Sequence, residues 1–135
     1  MSNKNRLIFI VINDPLVGNF LKYQLSGAGY REAVLFTSAR ECLYVLKKGT
    51  IPAFIIADYD LGNMKGEDFL KLIIDKYPEV RILFFSSMDN QSIASQLIQH
   101  GATDFIHRSS PSNQAITELI KNLRFLEKES TPVRY

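Results

Sequence analysis

Apolar side chains along this chain fall into two alternating patterns. In the first they are continuous: Leu7 to Ile12, Ala33 to Phe36, Phe54 to Ala57, Arg81 to Phe85 and Phe105 to His107. Short apolar runs rich in β-branched and aromatic residues suit strands buried on both faces. In the second pattern apolar positions recur three or four apart, as amphipathic helices require. The first such stretch groups Val17, Phe20, Leu21, Gln24 and Leu25, and the second carries Cys42, Leu43, Val45 and Leu46. Phe69, Leu70, Ile73, Ile74 and Tyr77 mark the third, Ile93, Leu97 and Ile98 the inner face of the fourth, and Ile116, Leu119, Ile120 and Leu123 the fifth.

Start and stop signals fit these boundaries. Pro15 suits a first helical position with Asp14 as its cap, and Gly27-Ala28-Gly29 ends that helix. Thr37 or Ser38, Asn90 and Ser112 are placed to cap the second, fourth and fifth helices, and Pro78 stops the third. Lys47, Lys48 and Gly49 close the second helix with the charges its dipole favours. Five strands alternating with five helices predict an α/β fold, a parallel sheet with helices on both faces. All strand C-termini then share one edge, where ligands collect in open α/β sheets. Asn13-Asp14, Asp58, Ser86-Ser87 and Arg108 converge there.

Composition narrows the class. One domain fits 135 residues, and 46% hydrophobic content is ordinary for a globular chain. A net charge of +2 implies no strong field for nucleic acid or an anionic membrane. The six apolar residues before Asn13 are too few for a signal-peptide core, and no run approaches a membrane span. A cytoplasmic location is expected. Cys42 has no partner for a disulfide and reads as a small buried apolar residue. His100 and His107 lack partners at metal-ligand spacing. Tyr59 is expected at the mouth of the site, Met64 in loop packing and Lys65 in solvent.

The converging groups have a chemical logic. Carboxylates brought close together repel unless a hard cation bridges them, and oxygen ligands with open positions suit Mg²⁺. A hydroxyl, neighbouring backbone N–H groups and a guanidinium would hold phosphate oxygens, leaving Asp58 as a nucleophile that forms an acyl phosphate.

Asn13-Asp14 closes the first strand, Asp58 precedes a loop ending at Gly66, and Ser86 ends the fourth strand. Gly101-Ala102-Thr103-Asp104-Phe105 leads into the fifth. In this order and spacing the chain resembles the receiver domain of two-component response regulators, over residues 6–127, with 128–135 as a tail or the start of a linker. The resemblance implies a doubly wound five-stranded sheet in the flavodoxin-like order 2-1-3-4-5. It implies that Asp58 accepts a phosphoryl group from a histidine kinase or phosphotransfer protein, and that the chain is no metabolic enzyme, catalysing at most its own phosphorylation and dephosphorylation. Mg²⁺ would be held by Asp14, Asp58 and the backbone carbonyl of Asp60, with Asn13 acting through water. Ser86, Ser87 and Arg108 would bind the phosphoryl oxygens, and Ser86 with Phe105 would form the switch. The output would pass to a downstream protein or a second copy through the face from Asn90 to Glu127, without nucleic acid or membrane binding by this domain.

The sequence departs from that family at three places. Asn13 stands where an acid is usual, removing one negative charge from the metal site. Arg108 replaces a lysine, a planar fork in place of a point donor, able to grip a phosphoryl group or to pair with Asp58 and mimic an occupied site. Ser109 stands where a cis proline is common. A degenerate receiver, binding partners without phosphorylation, is the alternative. A haloacid-dehalogenase-type phosphatase matches Asp58-Tyr59-Asp60, but Gly62 is wrong for it and the motif sits on the third strand. A flavodoxin would need a phosphate loop where Asn13-Asp14-Pro15-Leu16 stands. From the loss of charge at Asn13 we predict that Asn13→Asp binds Mg²⁺ more tightly than the native chain. A titration of both proteins checks this; equal affinities would refute it.

Overall fold

The structure, a computed structural model, describes residues 5–108 and 113–129. Its strands are β1 (Ile8–Val11), β2 (Ala33–Phe36), β3 (Phe54–Ala57), β4 (Arg81–Ser86) and β5 (Asp104–His107). They alternate with α1 (Pro15–Gly27), α2 (Ala39–Lys47), α3 (Gly66–Lys76), α4 (Gln91–Gln99) and α5 (Asn113–Glu129). The sheet is parallel throughout and its order is β2-β1-β3-β4-β5, as expected.

Every residue of β1 and β3 is buried, which explains why these strands read as continuous apolar runs. Successive residues serve opposite faces. Phe9, Val11, Ile55, Ala57, Ile82 and Phe84 pack with Cys42 and Leu46 of α2, Phe69 and Ile73 of α3 and Leu97 of α4. Ile8, Ile10, Ile56, Leu83 and Phe85 pack with Leu21 and Leu25 of α1 and Ile116, Leu119 and Leu123 of α5. Cys42 is fully enclosed, and burial pushes its thiol up to about 12, so it is an inert core residue.

The caps fall where the sequence placed them. Asp14 accepts from the Leu16 N–H, Ser38 from the Glu41 N–H, and Asn90 from the Ile93 N–H. Ser112 lies outside the described residues, as does Ser109.

Two expectations about faces and one about the C-terminal boundary need correction. Phe20 is 44% exposed, because the inner stripe of α1 runs through Gly18, Leu21 and Leu25 and turns Phe20 outward with Leu16 and Tyr23. Ile98 is likewise 43% exposed; α4 is short, and Leu97 is its one buried residue. The last helix runs on through 128 to Glu129 instead of ending at the expected boundary, Glu127. Glu127 accepts from Tyr30 Oη at 2.7 Å and from Arg6 Nε at 3.1 Å, fastening α5 to the opposite end of the sheet. Burial first, and then this bond to a carboxylate, push the Tyr30 hydroxyl up to about 12.

Gly66 opens α3 and fixes the loop that follows β3. Its N–H donates to the Tyr59 carbonyl at 2.6 Å. A Cβ there would lie 2.8 Å from Phe84 Cε1, 2.9 Å from Tyr59 Cδ1 and 3.2 Å from the Tyr59 Cα. Two packed rings and a backbone atom have no room to yield. We expect Gly66→Ala to lose about 1–3 kcal/mol, the usual range for overpacking, as measured by urea unfolding.

Candidate functional site

Register builds the site. Val11 pairs with Ala57, so β1 and β3 end level, while Ala57 pairs with Phe84 and β4 runs on to Ser86. Asp58 is the first residue beyond β3, and its N–H donates to the Val11 carbonyl at 3.0 Å. Ser86 ends β4 opposite His107, and the Arg108 N–H donates to the Ser86 carbonyl at 2.8 Å. These ladder bonds carry Asp58, Ser86 and Arg108 to one point on the C-terminal edge.

There the side chains meet. Asp58 Oδ1 accepts from Ser86 Oγ at 2.6 Å and from the Tyr59 N–H at 2.7 Å. Asp58 Oδ2 accepts from Arg108 Nη2 at 3.0 Å and Nη1 at 3.3 Å. The Asp58 and Arg108 side chains are only 12% and 13% exposed. A carboxylate so enclosed needs a compensating charge and hydrogen bonds, and here it has both. Its four acceptor positions are matched by four donors. Arg108 is held from behind as well: Nη1 also donates to the Phe85 carbonyl at 3.2 Å, and the guanidinium lies 5.9 Å from the centre of the Phe85 ring.

The other expected site residues share the edge without touching Asp58. Asp14 is exposed and spends Oδ1 on capping α1. Asn13 is exposed too, its carboxamide lying over Gly62, where a Cβ would come within 3.8 Å. Asp60 is exposed, and its carboxylate accepts from the Gly62 N–H at 3.1 Å within the loop. Ser87 is exposed and has no hydrogen bond to Asp58. Phe105 is half-buried, stacked on Phe84 with centroids 6.3 Å apart. Ser86 and Phe105 therefore both point inward. The Met88 N–H, donating to Ser86 Oγ at 3.2 Å, fixes the serine in that position.

Asp14, Asp58 and the Asp60 carbonyl are hard oxygen donors on adjoining strand ends, right in kind for a divalent ion. They do not fit in their present disposition. Both Asp58 oxygens carry protein donors, and among the described residues no three acidic, His or Cys side chains are grouped to hold a metal.

Tyr59 corrects the sequence expectation. It is buried among the α2–α3–α4 core residues, and its hydroxyl donates to Glu67 Oε2 at 2.9 Å. Burial first, then the bond and charge of Glu67, push this phenol up to about 12. The loop pattern Asp58-Tyr59 carried no signal for that, because inward direction depends on Gly66 leaving space beside the ring. Met64 packs on the same core. His100 is exposed at the end of α4, with Nδ1 2.7 Å from the Gln96 carbonyl. A cavity of about 550 Å³ between α3 and α4, lined by Glu67, Lys71, Ile74 and His100 among others, includes none of the converging residues.

Comparison with known proteins agrees with this fold. Residues 8–121 match the family model "response regulator receiver domain". The chemotaxis protein CheY of Thermotoga maritima is 28% identical over 114 residues, 84% of this chain and 94% of that one. The transcriptional activator protein ExaE of Pseudomonas putida is 27% identical over 107 residues, 76% of this chain. This chain spans 48% of ExaE, so it is similar to about half of that relative's length. Among solved structures, the signal receiver domain of an HD domain-containing protein from Pseudomonas fluorescens Pf-5 superposes with a TM-score of 0.81. The two are 20% identical, covering 96% of this chain and all of that one. A Francisella receiver domain gives 0.80 at 18% identity, over 92% of this chain and 98% of that one. At such identities these structures speak to the fold alone.

The Tyr59–Glu67 bond predicts an alkaline weakness. The phenol's ordinary value is 10.0 and its folded value about 12, so its contribution to stability is complete below pH 10 and is lost as pH rises towards 12. Tyr59→Phe should cost about 1 kcal/mol at neutral pH and flatten the loss between pH 10 and 12, read from urea unfolding across that range.

Proposed function

We propose that this chain, which belongs to the response regulator receiver family, is a phosphorelay receiver that accepts a phosphoryl group on Asp58. The donor is the phosphohistidine of a histidine kinase or of a phosphotransfer protein. The observation that carries the reading is the meeting of Asp58, Ser86 and Arg108 within hydrogen-bond distance at a strand-end edge. An Asp58 oxygen forms the new P–O bond as the P–N bond to the donor breaks. The electron pair leaves on the imidazole nitrogen, which takes a proton from solvent. The Ser86 hydroxyl and the Arg108 guanidinium then have phosphoryl oxygens to hold in place of carboxylate oxygens, with Ser87 beside them. Once Asp58 is freed from Arg108, Asp14, Asp58 and the Asp60 carbonyl, with Asn13 acting through water, would hold a divalent ion, Mg²⁺. It would supply charge neutralisation for the transferring group. Ser86 and Phe105 act as the switch that reports the state of Asp58.

The output surface is the face formed by α4, β5 and α5, residues 90–127, docking a downstream protein or a second copy. The receiver unit spans residues 6–127, with α5 running on to Glu129. The role is signalling, with no turnover of an external substrate, and the setting is cytoplasmic. No described helix is long and apolar enough to cross a membrane. The ion pair favours one other reading: a receiver whose Asp58 stays bound to Arg108 and which docks partners without phosphate.

Incubation with acetyl phosphate and Mg²⁺, followed by intact mass, separates the two. We expect the native chain to gain one phosphoryl group and Asp58→Asn to gain none. A native chain that stays unmodified would leave the phosphate-independent reading standing.

A further inference from the structure

We infer that Arg108 is an internal occupant of the acceptor site: its guanidinium fills the place at Asp58 Oδ2 that a divalent cation or an incoming phosphoryl group must take. The inference rests on the reading of Asp58 as acceptor, and it adds a competitor to that site.

Three observations carry it. Arg108 presents two N–H groups to the same oxygen, at 3.0 and 3.3 Å, so the pair covers Oδ2 as a fork, not as a single point. The other oxygen is covered by Ser86 and the Tyr59 N–H, so all four hydrogen-bonding positions of the carboxylate are already used. The guanidinium is also anchored to β4, through the Phe85 carbonyl, the Phe85 ring and its own backbone bond to Ser86. Releasing Asp58 therefore means moving a braced, part-buried cation, whereas a lysine ammonium on a flexible stem would swing aside.

The charges at the edge point the same way. Asn13 contributes none, Asp14 is exposed and engaged with α1, and Asp60 is exposed in its loop. Among the described residues Asp58 is the one buried carboxylate, and one guanidinium balances it. A divalent ion brought to Asp58 would face that guanidinium across the same oxygen, like charge against like.

The test uses the full chain with Arg108→Lys and Arg108→Gln, the second keeping a planar hydrogen-bonding head without charge. Mg²⁺ alone is titrated first, followed by tyrosine fluorescence or amide resonances. Both variants should bind Mg²⁺ about tenfold or more tightly than the native chain, the scale on which a competing ion pair is removed. Acetyl phosphate labelling with Mg²⁺, followed by intact mass, should then run about tenfold faster in Arg108→Lys, which retains a cation for the phosphoryl oxygens. Unchanged Mg²⁺ affinity in both variants overturns the inference, however labelling behaves. If affinity rises while neither protein is labelled, the competitor role stands and the acceptor reading fails. Should Arg108→Lys not fold, the titration of Arg108→Gln decides alone.

Discussion

A carboxylate enclosed at the end of a central strand is the constraint that the rest of this molecule answers. Left alone it would be strongly unfavourable in its enclosed position. It persists because β3 is flanked by β1 on one side and β4 on the other, and each neighbour brings something to it. From β1 comes the carbonyl that fixes the backbone of Asp58, from β4 the Ser86 hydroxyl, and from the end of β5 the guanidinium. Parallel pairing makes this possible, since it stacks the C-termini of all the strands on one edge. The two-sided core supports that pairing: the same β1 and β3 residues that hide from water on both faces hold the edge rigid.

Much of this was legible in the sequence because the determining signals are local. A run such as Phe54 to Ala57 has only one comfortable setting, a strand covered on both faces. Asp14, Ser38 and Asn90 cap helices through bonds that span two or three residues, so spacing alone reveals them. Which side of a helix faces inward was less legible. Phe20 and Ile98 sit at the margins of their apolar stripes, and small rotations of α1 and α4 against the sheet decide their exposure. Tyr59 was misplaced for a similar reason. An aromatic residue after a strand-end aspartate reads as a loop residue, yet the bare Cα of Gly66 opens a slot that draws the ring into the core.

The site itself was legible as a set of residues and not as a set of bonds. Convergence of Asp58, Ser86 and Arg108 followed from element order. Their pairing was only one of two roles open to Arg108, because no periodicity matches an aspartate and an arginine fifty positions apart. The separation between Asp58 and Asp14 shows the same limit. Both reach the same edge, but Asp14 finds a nearer partner in the Leu16 N–H at the start of its own helix. A short-range cap costs little ordering entropy, so Asp14 Oδ1 is engaged within its own helix start.

Asn13 and Arg108 are best understood together. With an acid at position 13, the edge would hold more negative charge than one arginine could balance, and a divalent ion would be the natural counter-charge. Without that charge on the edge, Asp58 is the one buried carboxylate among the described residues, and a single guanidinium suffices. The broad, weakly hydrated fork of an arginine suits such a pocket better than a strongly hydrated ammonium, since its desolvation costs less and its second nitrogen finds the Phe85 carbonyl. The two substitutions thus shift the balance of the edge in one direction, from an imported cation towards a built-in one. Whatever phosphoryl chemistry the domain performs has to begin by unmaking that internal pair.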